Sequence, residues 1–178
     1  GEVDHATHVF GLAIPAGIIS TTGVGGLTLG GGVGYLSRKY GLSIDNLLEV
    51  DMVLADGSFV TVNKDQHQDL FWAIRGGGGN FGIVTSFKFQ AHSLKNIFGG
   101  PTLWPIEKTE EIMKWYQNFI NNAPDELNGF IATLIIPGAP FPEHMHNKQF
   151  CGIVWCYTGD MAKAKEAFKP ILAMNPLF

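Results

Sequence analysis

Charge is scarce in this chain. Lys, Arg, Asp and Glu make up 16% of its 178 residues, and the formal net charge is -4. No segment carries a basic stripe, which argues against nucleic acid as a partner. Cysteine occurs twice, too seldom for a disulfide framework. Cys151 and Cys156 fall in one expected strand at an odd spacing, so they face opposite sides and are expected to be free thiols. No apolar run approaches the roughly 20 residues needed to cross a bilayer, so no membrane partner is expected. Metal-ligating sets are equally thin. His5 and His8 lie close enough to face a metal together, but no carboxylate or cysteine completes a set, and no metal is expected. No signal peptide is visible. The expected location is cytoplasmic, with an upstream signal left open because Gly1 is an arbitrary-looking start.

Glycine, in contrast, is abundant and clustered. There are 23 glycines, and 46% of the residues are hydrophobic, enough for a real core in one domain or two small ones. Residues Gly23 to Gly34 read Gly-Val-Gly-Gly-Leu-Thr-Leu-Gly-Gly-Gly-Val-Gly, with seven glycines in the run. Interior glycines give up packing and cost backbone entropy, so this stretch is not expected to form an ordinary helix or strand. A flexible linker would carry Ser, Asn and charge, whereas Val24, Leu27, Leu29 and Val33 are interleaved here. A packed loop of nearly bare backbone N–H groups is a cradle for phosphates or the edge of a flat ring.

The rest of the chain places that loop. A short helix or turn is expected near Asp4 to Phe10, then an extended segment. After the glycine run, Tyr35 to Gly41 reads as a short helix with Arg38 and Lys39 in its last turn and Gly41 as its cap. Ser43 to Asn46 reads as a turn, and Leu47 to Leu54 as a half-buried strand with Glu49 and Asp51 outward. Asp56-Gly57 signals a hairpin returning through Ser58 to Val62. Asp69 begins a second helix ending near Arg75. A second glycine cluster, Gly76 to Gly79, precedes Asn80-Phe81-Gly82 and a strand with Ile83, Thr85, Phe87 and Phe89 on one face. Residues 77–82 match Gly-x-Gly-x-x-Gly, but a nicotinamide fingerprint needs a strand before it and a helix after it. Here the order is reversed, which excludes that chemistry. Phe98 to Pro105 is rich in Gly and Pro and marks a boundary or change of direction. Glu107 to Asn122 is an amphipathic helix with Ile112, Trp115, Tyr116, Phe119 and Ile120 on one face. Strands are expected over Phe130 to Ile136 and Phe150 to Tyr157, separated by a loop in which His144 and His146 are solvated. Gly159-Asp160 caps a last amphipathic helix, Met161 to Leu172. The hairpins make this an α+β chain with antiparallel sheets.

Three stretches together resemble one family. They are residues 17–34 (Gly-Ile-Ile-Ser-Thr-Thr-Gly-Val-Gly-Gly-Leu-Thr-Leu-Gly-Gly-Gly-Val-Gly), 39–46 (Lys-Tyr-Gly-Leu-Ser-Ile-Asp-Asn) and 69–84 (Asp-Leu-Phe-Trp-Ala-Ile-Arg-Gly-Gly-Gly-Gly-Asn-Phe-Gly-Ile-Val). In this order and spacing they look like the berberine-bridge-enzyme-like branch of the FAD-linked oxidases, within the vanillyl-alcohol-oxidase superfamily. The resemblance implies the second half of a PCMH-type FAD-binding domain over residues 1–95. It also implies the beginning of an antiparallel-sheet substrate domain over residues 96–178. The implied enzyme oxidises a C–O or C–N centre of a small-molecule substrate by hydride transfer to FAD, commonly with reoxidation by oxygen. Carried over to matching positions, the first loop implicates Thr22, Gly23, Gly25, Gly26, Leu27, Thr28, Gly30 and Gly34 along the pyrophosphate and flavin edge. The second implicates Ile83 at the adenine, with Gly82 beside it. Asn80, Asp45 and Asn46 are expected to be structural.

Departures from the pattern also carry expectations. Members with a doubly linked flavin have a cysteine where Ile19 stands, so that thioether is absent. The family's flavin-linking histidine would precede this chain and its catalytic base would follow residue 178, so no catalytic residue is named and the chain is expected to be an internal fragment. Alone it is expected to bind FAD weakly or not at all. A non-catalytic flavin-fold module remains an alternative. A flavin reductase of the nucleotide-sugar type is disfavoured by Asp69-Leu70-Phe71-Trp72 and Asn80-Phe81-Gly82.

Overall fold

Apolar residues two apart in three neighbouring stretches dictate the first sheet. Val50, Met52 and Val62 are almost fully buried, and each strand puts such residues on one side of the pleat. The computed structural model describes all 178 residues, Gly1 to Phe178. They divide into two units, Gly1–Lys95 and Asn96–Phe178.

In the first unit, helix α1 (Glu2–Thr7) leads through a 3₁₀ turn to strand β1 (Leu12–Ala13). Helix α2 (Val24–Leu29) and the short helix α3 (Ser37–Tyr40) follow. Strands β2 (Leu47–Val53), β3 (Phe59–Asn63) and β4 (Ile83–Phe89) form an antiparallel sheet in the order β3-β2-β4, with helix α4 (Gln68–Ile74) between β3 and β4. Strand β5 (His92–Ser93) pairs antiparallel with β1. The core gathers Leu29, Leu47, Val50, Met52, Val62, Phe71 and Ile74.

Two details depart from the sequence expectation. First, the glycine run does contain a helix, α2, with Gly25 and Gly26 inside it. Two interior glycines cost about 1 kcal/mol each relative to Ala. Burial of Leu29 in the core offsets that cost, since a fully buried leucine contributes about 1.5–3 kcal/mol. Tertiary packing thus overrides propensity. Second, the β2–β4 pairing skips Leu48 on one strand and Thr85 on the other. Each skip is a β-bulge, which changes the face of the residues beyond it. Val84 therefore packs on the core together with Phe87 and Phe89, while Ile83 turns outward, 72% exposed.

The second unit opens with strand β6 (Phe98–Pro105), followed by helix α5 (Thr109–Asn122), strands β7 (Leu127–Ile135) and β8 (Gln149–Tyr157), and helix α6 (Ala164–Leu172). The sheet order is β6-β8-β7, all antiparallel. The Gly- and Pro-rich stretch expected to mark a boundary is thus itself a strand. It tolerates Pro101 and Pro105 because it lies at the edge of this sheet, where a missing N–H need not break the ladder. Gly99 is needed there: a Cβ would sit 2.1 Å from the Trp155 carbonyl oxygen. The α5 face falls as the periodicity predicts. Ile112 is fully buried and Trp115, Tyr116, Phe119 and Ile120 pack on a core of Trp104, Leu127, Ile153, Trp155, Phe168 and Ile171. His146 is not solvated as expected. It is half-buried, and its Nε2 lies 2.7 Å from the Phe141 carbonyl oxygen. Both cysteines are free and buried.

Candidate flavin-loop site

Gly23 caps α2 in extended conformation without any side-chain cap. The first intrahelical bond runs from Leu27 N–H to the Gly23 carbonyl at 3.2 Å. The N–H groups of Val24, Gly25 and Gly26 belong to the first turn and have no intrahelical acceptor. A Cβ added at Gly23 or Gly26 would meet nothing within 4 Å, so that bare turn is open to approach from outside. On the opposite side α2 rests on β4, where a Cβ at Gly25 would lie 3.8 Å from the Phe87 ring.

Thr28, on the same helix, is 1% exposed, and its Oγ1 is buried without a hydrogen-bond partner. A buried, unpaired hydroxyl costs about 1–3 kcal/mol. Thr28 lines a cavity of about 90 Å³ together with Thr22, Leu27, Ile19, Ser43 and Phe89. That volume corresponds to about three waters at roughly 30 Å³ each, far short of a whole dinucleotide. No Lys or Arg lines it, and Asp4 places a carboxylate on its wall.

The remaining glycines of the run sit behind α2. Gly30 closes the helix, its N–H 3.2 Å from the Gly26 carbonyl oxygen. A Cβ at Gly34 would stand 1.7 Å from the Ala16 carbonyl oxygen, so close packing of the segment before the loop requires glycine there. Gly82 has φ +148°, and a Cβ would stand 2.6 Å from the Val53 carbonyl oxygen. Thr22, Gly23, Gly25, Gly26, Leu27 and Thr28 therefore share one helix and its lead-in, with Gly30 and Gly34 behind it. Gly82 and Ile83 stand on the second loop, at the entry to β4. The two loops are joined where Gly76 N–H donates to the Leu29 carbonyl at 3.0 Å. Asn80 holds the second loop by donating to the Gly77 carbonyl at 2.9 Å. Its context, helix α4 before and strand β4 after, is the reverse of a nicotinamide fingerprint.

Asp45 and Asn46 stabilise the turn, as expected. Leu42 N–H donates to Asp45 Oδ2 at 2.8 Å, and Asn46 Nδ2 donates to the Tyr40 and Leu42 carbonyls at 2.9 and 2.8 Å. Ser43 was not legible as a cavity residue, because in sequence it is only one polar residue of a turn. The His8 ring is engaged locally, its Nδ1 3.0 Å from the His5 carbonyl oxygen, and no group of three or more His, Cys, Asp or Glu side chains clusters anywhere in the chain.

The bare helical turn, the buried hydroxyl and the joined glycine loops are the features of the first unit to set beside known proteins. A family profile described as "FAD binding domain" matches residues 1–63. The FAD-linked oxidoreductase pgmH of Aspergillus terreus is 40% identical over 180 residues, covering 99% of this chain and 35% of that protein. Among solved structures, BBE-like 1 of Physcomitrella patens superposes with a TM-score of 0.79 at 32% identity, covering 99% of this chain and 36% of that one. Xylooligosaccharide oxidase from Myceliophthora thermophila C1, in complex with xylobiose, gives a TM-score of 0.71 at 31% identity over 92% of this chain and 33% of that one. The chain belongs to the FAD-linked oxidoreductases, and FAD is the family's cofactor. It spans about a third of the length of the curated relatives it matches. No helix is long and apolar enough to cross a membrane.

Proposed function

We propose that residues 1–95 supply one part of the FAD cradle of an oxidase and that residues 96–178 begin its substrate domain. The enzyme oxidises an alcohol, sugar or amine centre of a small molecule. Bound FAD supplies the hydride acceptor and passes the electrons on, with oxygen as the expected final acceptor. The chain's own contribution is binding and orientation. Val24, Gly25 and Gly26 offer main-chain N–H groups to phosphate oxygens, an arrangement that favours negative charge at a helix start. Thr22, Gly23, Leu27 and Thr28 continue that surface toward the flavin edge, with Gly30 and Gly34 shaping the loop behind. Gly82 and Ile83 address the adenine.

The single observation that carries this assignment is Thr28 Oγ1. A hydroxyl that is buried, unpaired and on a cavity wall beside a bare helical turn fits a cofactor that accepts its hydrogen bond. Similarity to xylooligosaccharide oxidase favours the sugar arm of the substrate range. The test is the full-length protein, purified and scanned in the visible, then offered sugars, alcohols and amines while oxygen uptake is followed. Stoichiometric flavin and substrate-dependent oxygen consumption are expected. A protein that stays colourless after incubation with excess FAD overturns the assignment.

A further inference from the structure

His92 and Asn46 lie far apart in sequence but meet directly: His92 Nε2 is 2.6 Å from Asn46 Oδ1. The amide oxygen can only accept, so Nε2 carries the proton. Asn46 is 4% exposed, and its side chain is fully used. Both Nδ2 hydrogens go to the Tyr40 and Leu42 carbonyls. The His92 ring also stacks on Tyr40, with centroids 4.0 Å apart and planes 19° from parallel.

The segment that Asn46 holds is the one that holds the glycine loop. Ser43 N–H donates to the Gly32 carbonyl at 2.9 Å, and Ile44 N–H donates to the Gly31 carbonyl at 3.0 Å. Gly31 N–H in turn donates to the Thr28 carbonyl at 2.9 Å. An unbroken series of bonds thus runs from His92 through Asn46 and the turn at 42–46 to the last turn of α2. His92 itself is fixed by the β1–β5 pairing, opposite Ala13, on the strand that leads into the cavity wall at Ile14 and Pro15. Both sides of the cavity are therefore tied to one imidazole. Neither His92 nor Asn46 lines the cavity.

We infer that His92 and Asn46 are positioning residues that set the height of the glycine loop, and with it the main-chain groups offered to FAD, through the turn at 42–46. The inference rests on the FAD assignment above for its functional meaning, while its structural part is measurable without flavin.

The experiment uses two variants of the full-length protein. His92→Phe keeps a ring to stack on Tyr40 but removes the donor; His92→Gln keeps an N–H donor. Amide hydrogen exchange is read at Ser43 and Ile44, with Val50 and Met52 of β2 as controls, and FAD affinity and visible circular dichroism are read in parallel. For His92→Phe we expect exchange at Ser43 and Ile44 to quicken at least tenfold with Val50 and Met52 unchanged. FAD should bind about 5- to 20-fold more weakly, with an altered visible dichroism. His92→Gln should restore both to within about twofold. Wild-type exchange, affinity and dichroism in His92→Phe overturn the inference. So does global loss of structure in both variants, which would make His92 part of the core. If the wild-type protein binds no FAD, the functional assignment falls, and the exchange result still decides whether His92 holds the loop.

Discussion

The N–H of Gly76 donates to the carbonyl of Leu29 at 3.0 Å, and this bond fastens the second glycine cluster to the end of the helix that carries the first. Leu29 is anchored in the core beneath it, so neither loop can shift without disturbing that anchor. Two glycine-rich stretches, far apart in sequence, are thereby held together. Under the proposed function this matters, because ordering a loop on binding subtracts from affinity.

Thr28→Val separates a structural hydroxyl from a functional one by sign. The substitution keeps shape and removes an oxygen that has no partner. In the flavin-free protein it should raise stability by about 1 kcal/mol, since an unpaired buried polar group is costly. In the flavin-bound protein it should weaken FAD binding about 5- to 20-fold. Thermal unfolding with and without FAD reads both. A hydroxyl with a purely internal role would lower stability in both states.

The two classes of glycine respond oppositely to alanine. At Gly34 a Cβ would be driven to 1.7 Å from the Ala16 carbonyl oxygen, and Gly34→Ala should cost about 3 kcal/mol or more, in the range of severe overpacking. At Gly26 a Cβ meets nothing within 4 Å, and Gly26→Ala inside α2 should stabilise by about 0.5–1 kcal/mol. The same methyl stands on the open turn, so FAD affinity should fall even as stability rises. Urea unfolding and FAD titration on the two variants give the four numbers.

How much of this was legible in the sequence follows from which signals are local. The hairpin at Asp56-Gly57, the α5 face and the reversed order around residues 77–82 all depend on residues a few positions apart, and each reads correctly. Helix α2 was missed because propensity counts Gly25 and Gly26 against it, whereas the contact that holds it, Leu29 in the core, is with residues beyond the window. The outward turn of Ile83 was missed because a skipped residue, Thr85, breaks an otherwise regular alternation. Strand β6 was missed because Gly and Pro argue against a strand unless its edge position is known. The join between His92 and Asn46 leaves no mark on either local pattern.

The second unit has its own internal check. The Trp155 indole N–H donates to Thr102 Oγ1 at 2.8 Å, and Trp155 is 2% exposed. Thr102→Val leaves that donor buried and unmatched and should cost about 1–3 kcal/mol, whereas Thr102→Ser should cost less than about half of that, keeping the acceptor. Urea unfolding followed by tryptophan fluorescence distinguishes them. Equal losses in both would mean that the threonine methyl, and not the hydrogen bond, carries the contribution.

The last prediction concerns acid. Burial holds the His92 imidazole below the ordinary histidine range, because the charged ring would lose solvation. In the unfolded chain the same ring takes up a proton near pH 6.5. As pH falls through that value the unfolded state binds the proton first, and the folded state follows only at lower pH. Stability therefore rises with pH in this window and falls on acidification. The contribution of His92 is fully present above the unfolded value and is lost as pH drops toward the folded one. His92→Gln has nothing to titrate there, so wild type should lose stability relative to the variant as pH is lowered from 7.5 to 5, in urea unfolding at matched ionic strength. A constant difference across that range would mean that His92 stays equally protonated, folded or unfolded, and that its bond to Asn46 does not depend on a neutral ring.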